Sequence, residues 1–149
     1  MSETIQRPLD IKWILIGFAI QAGLTWLLTP LLVEPLLIPM MESMGTTAGP
    51  LTFVALVAFI AFFGGGLLVA YFSPGDTVKE PAIAAVLAIV FNAVVNISSS
   101  DAEVSGGVIV GLVISGAVAF AFAMLGAKVG EKIQGDTTDK MRERGDLRG

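Results

Sequence analysis

Cysteine and histidine are both missing from the 149 residues of this chain. Without cysteine there is no disulfide framework, no thiolate metal site and no attachment point for a c-type haem. Without histidine, zinc-peptidase motifs, Ser-His-Asp or Cys-His nucleophile activation and His-ligated haem are excluded as well. We therefore predict that the chain is not an enzyme and that it carries no metal site and no cofactor.

Charged residues are scarce, at 15% of the chain, and they avoid its long apolar blocks. No Asp, Glu, Lys or Arg lies in the middle of such a block, so the commonest signature of proton relays and voltage sensors is missing. The basic residues are few and mostly lie in one short tail. Nothing in this pattern indicates a nucleic-acid partner.

Hydrophobic residues are abundant instead, at 54% of the chain, and the mean hydropathy is +0.81. Four apolar blocks approach or exceed the ~20 residues that a helix needs to cross a lipid bilayer. We predict an all-α, polytopic membrane protein whose residues 1–129 form a four-helix transmembrane domain. The predicted spans are 13–33, 51–72, 81–97 and 104–127.

Turn signals and composition set the boundaries of these blocks. Thr29-Pro30 is expected to bend or end the first span, because proline removes a helical hydrogen bond. The following segment, 34–41, is apolar but too short and proline-broken to span, which predicts an interfacial segment. Residues 130–149 are polar with alternating charge, and they have too little apolar surface to fold alone. We predict a disordered cytoplasmic tail there.

The nine basic residues all fall on one side of a four-span arrangement. Arg7 and Lys12 precede the first span, Lys79 lies between the second and third, and the other six follow the fourth. The positive-inside rule therefore places both termini in the cytoplasm. The opposite loops contain only the acidic residues Glu34, Glu42, Asp101 and Glu103.

Two sequence offsets are consistent with an internal duplication. A shift of 71 residues aligns 17–29 with 88–100, and a shift of 60 aligns 61–75 with 121–135. Two helical hairpins in a parallel repeat would produce both offsets. Chance similarity among helices rich in Ala, Gly and Val would produce them almost as well.

Small residues form a continuous ridge, at every fourth position, along the fourth span. Lipid tails are as apolar as leucine, so helices in a membrane associate by close packing, which small side chains permit. We predict a helix-packing role, either within the monomer or with a second copy or another membrane protein. The ridge consists of Gly107, Gly111, Ser115, Ala119, Ala123 and Ala127.

Uncharged polar residues form a candidate polar face within the membrane. Gln21 and Thr25 share one side of the first span, as do Asn92 and Asn96 in the third, because residues four apart are neighbours on a helix. Such groups need partners in hydrocarbon, and an amide pair between the two spans would supply them. The alternative is a polar track for an ion or small solute.

Two carboxylates, Glu34 and Glu80, lie near the predicted interfaces, each directly before a proline. Glu80 stands at a predicted helix N-terminus, where the helix dipole stabilises negative charge. Glu34 has no such explanation. We expect it to be exposed at the outer surface.

The segment Ser73-Pro-Gly-Asp-Thr77, followed by Glu80-Pro-Ala-Ile-Ala-Ala85, resembles a pattern in small bacterial four-helix membrane proteins of unknown function. The resemblance covers these two segments alone. It implies a bacterial inner-membrane setting, and it implies no activity and no site residues.

Two functional interpretations follow from these patterns. The first is a non-catalytic accessory or scaffold subunit that acts through helix packing in the lipid bilayer. The second is a small channel or transporter that uses the polar face.

Overall fold

The computed structural model describes residues 9–73, 77–100 and 103–143, with side chains described as far as residue 135. Regular structure within these ranges is helical and contains no strand, which confirms the predicted all-α class. The helices are α1 (Ile11–Leu32), α2 (Ile38–Ala58), α3 (Gly64–Phe72), α4 (Lys79–Ser100) and α5 (Gly106–Glu143). The π-helical segments Val33–Leu37 and Phe59–Phe63 join α1 to α2 and α2 to α3.

Three helical stretches of the described chain are long and apolar enough to cross a membrane. They are Ile11–Phe72, Lys79–Ser100 and Gly106–Gly135, and the first comprises 62 residues. A straight helix of that length would extend about 90 Å, roughly three times the thickness of a bilayer's hydrocarbon core. The chain instead reverses its direction within this stretch.

The reversal occurs at Gly45, whose φ of 87° and ψ of 170° lie outside the helical region. Glycine adopts a positive φ without the steric cost that a Cβ atom imposes. Next to the turn the two arms lie close together, since a Cβ on Gly49 would come within 2.8 Å of the Met40 carbonyl carbon. Further along the arms Gly65 packs against Gln21. The two arms therefore form an antiparallel hairpin.

The first apolar stretch breaks at different residues from those that the sequence predicts. α1 continues through Pro30 to Leu32, and the segment 34–41 is helical and belongs to the first arm. Membrane helices tolerate proline where local π-helical adjustments satisfy the freed backbone groups. The π segment Val33–Leu37 follows directly after α1. The boundary between the first two apolar blocks lies at Gly45 instead.

The remaining two helices pack on this hairpin, each in the same direction as its neighbour. α4 lies beside α1, with contacts that progress from Glu80 near the start of α1 to Asn92 beside Trp26. α5 lies beside α3, and its principal neighbours are α3, α4 and the second π segment, but not α2. The two arms of the hairpin, α4 and α5 meet in a core of small side chains around one phenylalanine. This core consists of Ala22, Phe62, Ala85, Ala88, Ala119 and Ala123.

α1 and α4 begin, and α3 ends, at the same end of the bundle. We call this end the basic end, because Lys12, Lys79 and Lys132 lie there. The far end contains the turn at Gly45 and the start of α5. This division separates two regions that differ in packing and hydrogen bonding.

Glycines bring α3 and α5 into backbone contact toward the basic end. A Cβ on Gly126 would overlap the Phe63 carbonyl oxygen, and a Cβ on Gly66 would overlap the Ala123 carbonyl oxygen. Only glycine allows two helix backbones to approach this closely. Gly130, one turn beyond Gly126, packs in the same way on the Leu67 carbonyl.

α5 extends well past the predicted end of the last span, to Glu143. This differs from the prediction of a disordered tail that begins at residue 130. Gln134 Nε2 donates hydrogen bonds to the carbonyl oxygens of Tyr71 and Ser73, at 3.1 and 2.7 Å. These bonds hold α5 to the end of α3 where the apolar sequence stops. The final residues, 144–149, lie outside the described part of the chain.

Candidate functional site

The ridge of small residues on α5 is divided by the fold into a buried and an exposed part. Ala119, Ala123 and Ala127 are each at most 1% exposed and contribute to the packing of the bundle. Gly107, Gly111 and Ser115 are exposed. The division arises because α5 packs against α3 over its middle residues, while α2 is not among its principal neighbours.

The exposed part of the ridge has open space in front of it. A Cβ placed on Gly111 would meet no other atom within 4 Å, apart from its own helix. Ser115 Oγ donates to the Gly111 carbonyl at 2.7 Å, so its hydroxyl is satisfied within α5. This surface is therefore smooth and free of unsatisfied hydroxyls, which suits contact with another helix.

Gln21, from the predicted polar face, is completely buried. Its Nε2 donates a hydrogen bond to the Pro81 carbonyl oxygen of α4 at 3.1 Å, while its buried Oε1 has no partner. Thr25 donates to the Gln21 carbonyl at 2.9 Å and so bonds its own helix. Gln21 thus links α1 to α4, as the polar face predicts, but through a backbone carbonyl.

The amide pair expected between the two spans is not formed. Asn92 Oδ1 accepts instead from Trp26 Nε1 at 2.6 Å, and Asn96 Nδ2 donates to the Asn92 carbonyl at 2.8 Å. The register of α1 against α4 brings the Pro81 carbonyl within reach of Gln21, whereas Asn92 lies eleven residues, or about three turns, further along α4. Gln21 therefore lies in the closed interior, whereas Asn92 lies at the surface between α1 and α4.

The two predicted carboxylates have different surroundings. Glu34 is exposed and lies in the first π segment. Glu80 is only 6% exposed, lies in the first turn of α4, and accepts a hydrogen bond from the Asp10 amide at 3.3 Å. Asp10 itself caps α1, since its carboxylate accepts from the Lys12 amide at 3.0 Å. Glu80 therefore joins the starts of α1 and α4.

A second polar group at the basic end was not predicted from the sequence. Glu131 accepts a hydrogen bond from the Thr77 amide at 2.7 Å, and Gln134 donates to the Ser73 carbonyl. The buried hydroxyls of Ser73 and Thr77 bond each other. We call these four residues the basic-end cluster. The available signal was the spacing of Glu131 and Gln134, which share one face of a helix.

Within the described residues, no group of three or more His, Cys, Asp or Glu side chains is arranged to hold a metal ion. No protein-family model, no curated protein and no solved structure matches the chain. The fold itself defines the class: an all-helical protein with three stretches long and apolar enough to cross a membrane.

Proposed function

We propose that the chain is a multi-pass protein of a bacterial cytoplasmic (inner) membrane, with four spans and both termini in the cytoplasm. The turn at Gly45 supports four spans, because each arm of the hairpin exceeds the ~20 residues that cross a bilayer. Lysines at the basic end support the orientation, since cytoplasmic loops carry the excess of Lys and Arg.

The absence of native cysteine allows a direct test of this topology. In intact cells, a membrane-impermeant thiol reagent should label Ser99→Cys at the far end and leave Lys140→Cys in the tail unlabelled. Both variants should be labelled after the cells are opened. Labelling of Lys140→Cys but not of Ser99→Cys in intact cells would reverse the proposed orientation.

The same topology supports a parallel repeat of two helical hairpins. α1 and α4 run side by side in one direction, and α3 and α5 run side by side in the other. Duplication of one hairpin without inversion would place the corresponding helices in the same direction.

The role that the geometry supports best is that of a non-catalytic accessory or scaffold subunit that acts through helix packing. One observation carries this proposal: the α5 ridge is buried over residues 119–127 and exposed over 107–115. Apolar burial cannot drive association between helices in lipid, whereas close packing of small residues can. The exposed part is the surface on which a helix of a partner, or of a second copy, packs.

The proposal predicts different consequences for substitutions on the exposed ridge and on another face of the same helical turns. Gly111→Leu should preserve the folded monomer, because its side chain enters open space, but should remove the partner helix. Val113→Leu, on a different face of the same exposed turns, is the matched control and should retain the partner. A pull-down in mild detergent with intact-mass readout measures both. An identical assembly profile for Gly111→Leu and Val113→Leu would contradict the packing role.

A small channel or transporter is the second candidate, and one observation favours it. Gln21 Oε1 is a fully buried acceptor without a partner in the structure. Leaving such a group unpaired costs about 1 to 3 kcal/mol, which water or a passing solute with a hydrogen-bond donor would offset. Gln21→Leu should then abolish flux into liposomes while the protein stays folded. An accessory subunit would keep its physiological activity with the same substitution.

A further inference from the structure

Three of the six methionines of the chain lie together at the tip of the first hairpin. Met40, Met41 and Met44 belong to the part of α2 that precedes the turn at Gly45. Residues three and four apart are neighbours on a helix, so Met44 lies beside both of the others on one face. The remaining methionines are far from this group and from one another in the sequence. We call the three residues the methionine cluster.

The second arm of the hairpin packs against the backbone that carries this cluster. A Cβ on Gly49 would come within 2.8 Å of the Met40 carbonyl carbon and of the Met41 Cα atom. Glycine at this position places no side chain between the two arms. The methionine side chain has three rotatable bonds, so its sulfur can adjust its position while the backbone stays in place. Three thioether sulfurs can therefore approach a common point.

The cluster lies beyond the ends of the other helices. Trp26 lies beside Asn92, and α4 ends at Ser100, eight residues later. The first arm runs parallel to α4 and continues, so Met40 to Met44 lie roughly 9 to 15 Å past the end of α4. α4, with its 22 residues, is about 33 Å long and already crosses a hydrocarbon core of ~30 Å. In the proposed topology the cluster is therefore outside the hydrocarbon and accessible to dissolved ions.

The exposure of the cluster agrees with this position. Met40 and Met41 are half-buried, and Met44 is 50% exposed. The neighbouring Ser43 is not a competing ligand, because its hydroxyl donates to the Pro39 carbonyl at 2.8 Å. The sulfurs are thus the side-chain donors that this face presents to the solvent.

The chemistry of these donors selects the class of ion. Thioether sulfur is a soft ligand that favours Cu(I), whereas carboxylates and carbonyls suit Mg²⁺, Ca²⁺ and Mn²⁺. Because the chain contains no cysteine and no histidine, methionine sulfur is the only soft ligand among its side chains. In the described part of the chain no group of acidic side chains could hold a hard cation instead.

We propose that Met40, Met41 and Met44 bind one Cu(I) ion through their three thioether sulfurs. This inference departs from the sequence-based prediction of no metal site, which considered cysteine and histidine ligands. It goes beyond the proposed scaffold role. It depends on the proposed topology only for the compartment from which the ion comes.

Anaerobic titration of the full chain with Cu(I) in mild detergent, in competition with a chromophoric Cu(I) chelator, tests the proposal. The unmodified protein should bind one Cu(I), with the stoichiometry measured by native mass spectrometry, and should not bind Zn(II). Met44→Leu removes the sulfur that is adjacent to both others and should weaken binding by at least about tenfold. Leucine has a similar volume, so the fold should be preserved.

Met124→Leu is the matched control. Met124 is half-buried on α5 and has no methionine three or four residues away, so its replacement should leave Cu(I) binding unchanged. Equal weakening by Met44→Leu and Met124→Leu would overturn the proposal, as would Zn(II) binding as tight as that of Cu(I). A folded protein in the membrane fraction that binds no Cu(I) would also overturn it and would leave the proposed membrane function intact.

Discussion

The two ends of the bundle are held by different kinds of hydrogen bond. At the basic end, Gln134 of α5 donates to the Ser73 carbonyl, and Glu80 of α4 accepts from the amide of Asp10, the residue whose carboxylate caps α1. These bonds join separate elements of the chain. Toward the far end, Thr52 and Ser115 each donate to the carbonyl four residues earlier in their own helix. Such bonds satisfy the hydroxyls in an apolar environment but do not tie helices together.

Packing follows the same division. Gly66, Gly126 and Gly130 bring backbones into contact toward the basic end. Toward the far end, a Cβ on Gly111 would face open space, and one on Gly107 would meet only the nearby Ser105 hydroxyl, at 3.7 Å. The comparison teaches that the contacts of α5 with the rest of the bundle are concentrated at one end, whereas the two arms of the hairpin also meet beside the far-end turn, at Gly49 and Met40. The far end retains helix surface that is available to a partner or to lipid.

Replacing a glycine should give the largest change in the free energy of unfolding, and this change should differ most between the two ends. Gly126→Leu forces a side chain into the Phe63 carbonyl, where the neighbouring atoms are backbone and cannot move aside. We expect a loss of about 3 kcal/mol in the free energy of unfolding, or loss of the folded protein. Thermal unfolding in detergent measures the change.

Gly111→Leu is the matched control for this prediction, because a Cβ there meets no neighbouring helix. Leucine has a higher helix propensity than glycine, which adds some stability. Apart from that gain, the free energy of unfolding should stay within about 0.5 kcal/mol of that of the unmodified protein. Equal destabilisation by both substitutions would mean that the far end packs as tightly as the basic end.

Removal of a basic-end side chain should have an intermediate effect. Gln134→Ala leaves the carbonyls of Tyr71 and Ser73 without this donor. We expect a loss of about 1 kcal/mol and faster amide hydrogen exchange in residues 71–73 and 77–82. Ser115→Ala, which removes a bond within one helix, should change neither quantity. Unchanged exchange in Gln134→Ala would show that the basic-end cluster does not hold residues 71–73 and 77–82 in place.

The smallest effect concerns Gln21 and Asn92, which lie in the closed and the surface regions respectively. They bond different partners, Pro81 and Trp26. The effects of Gln21→Leu and Asn92→Leu on unfolding should therefore add to within about 0.5 kcal/mol in a double-mutant cycle. A larger coupling energy would support the direct pair between the Gln21 and Asn92 amides that the sequence suggested.

The existence of the helices could be predicted because apolar blocks of this length have few stable alternatives. The residues at which the helices end or turn were harder to predict. α1 continues through Pro30, and a π segment follows directly after α1. Proline is the residue that disfavours a helix most strongly, yet the chain does not turn at Pro30. Gly45 carries the turn without a proline or aspartate beside it. Only the packing of the two arms distinguishes it from other glycines.

The candidate site was predictable in its residue types but not in its partners. An amide pair between Gln21 and the third span was expected, but Gln21 bonds the Pro81 carbonyl, because the acceptor depends on the register of two helices, which sequence spacing does not determine. The ridge on α5 was visible as a pattern, but its division into buried and exposed parts depends on which elements α5 packs against, namely α3, α4 and the second π segment rather than α2. Gln134 and Glu131 lie in polar sequence, where their spacing on one helix face is the only sign that the helix continues.

Distance measurements between spin labels test the central claim, that α5 is held to the bundle at the basic end and is less constrained at the far end. The cysteine-free chain allows two doubly labelled variants in bilayers, one with Lys79→Cys and Lys132→Cys, the other with Thr52→Cys and Ser105→Cys. We predict a narrow distance distribution for the basic-end pair and a clearly broader one for the far-end pair. Equal widths, or a narrower distribution at the far end, would contradict this account.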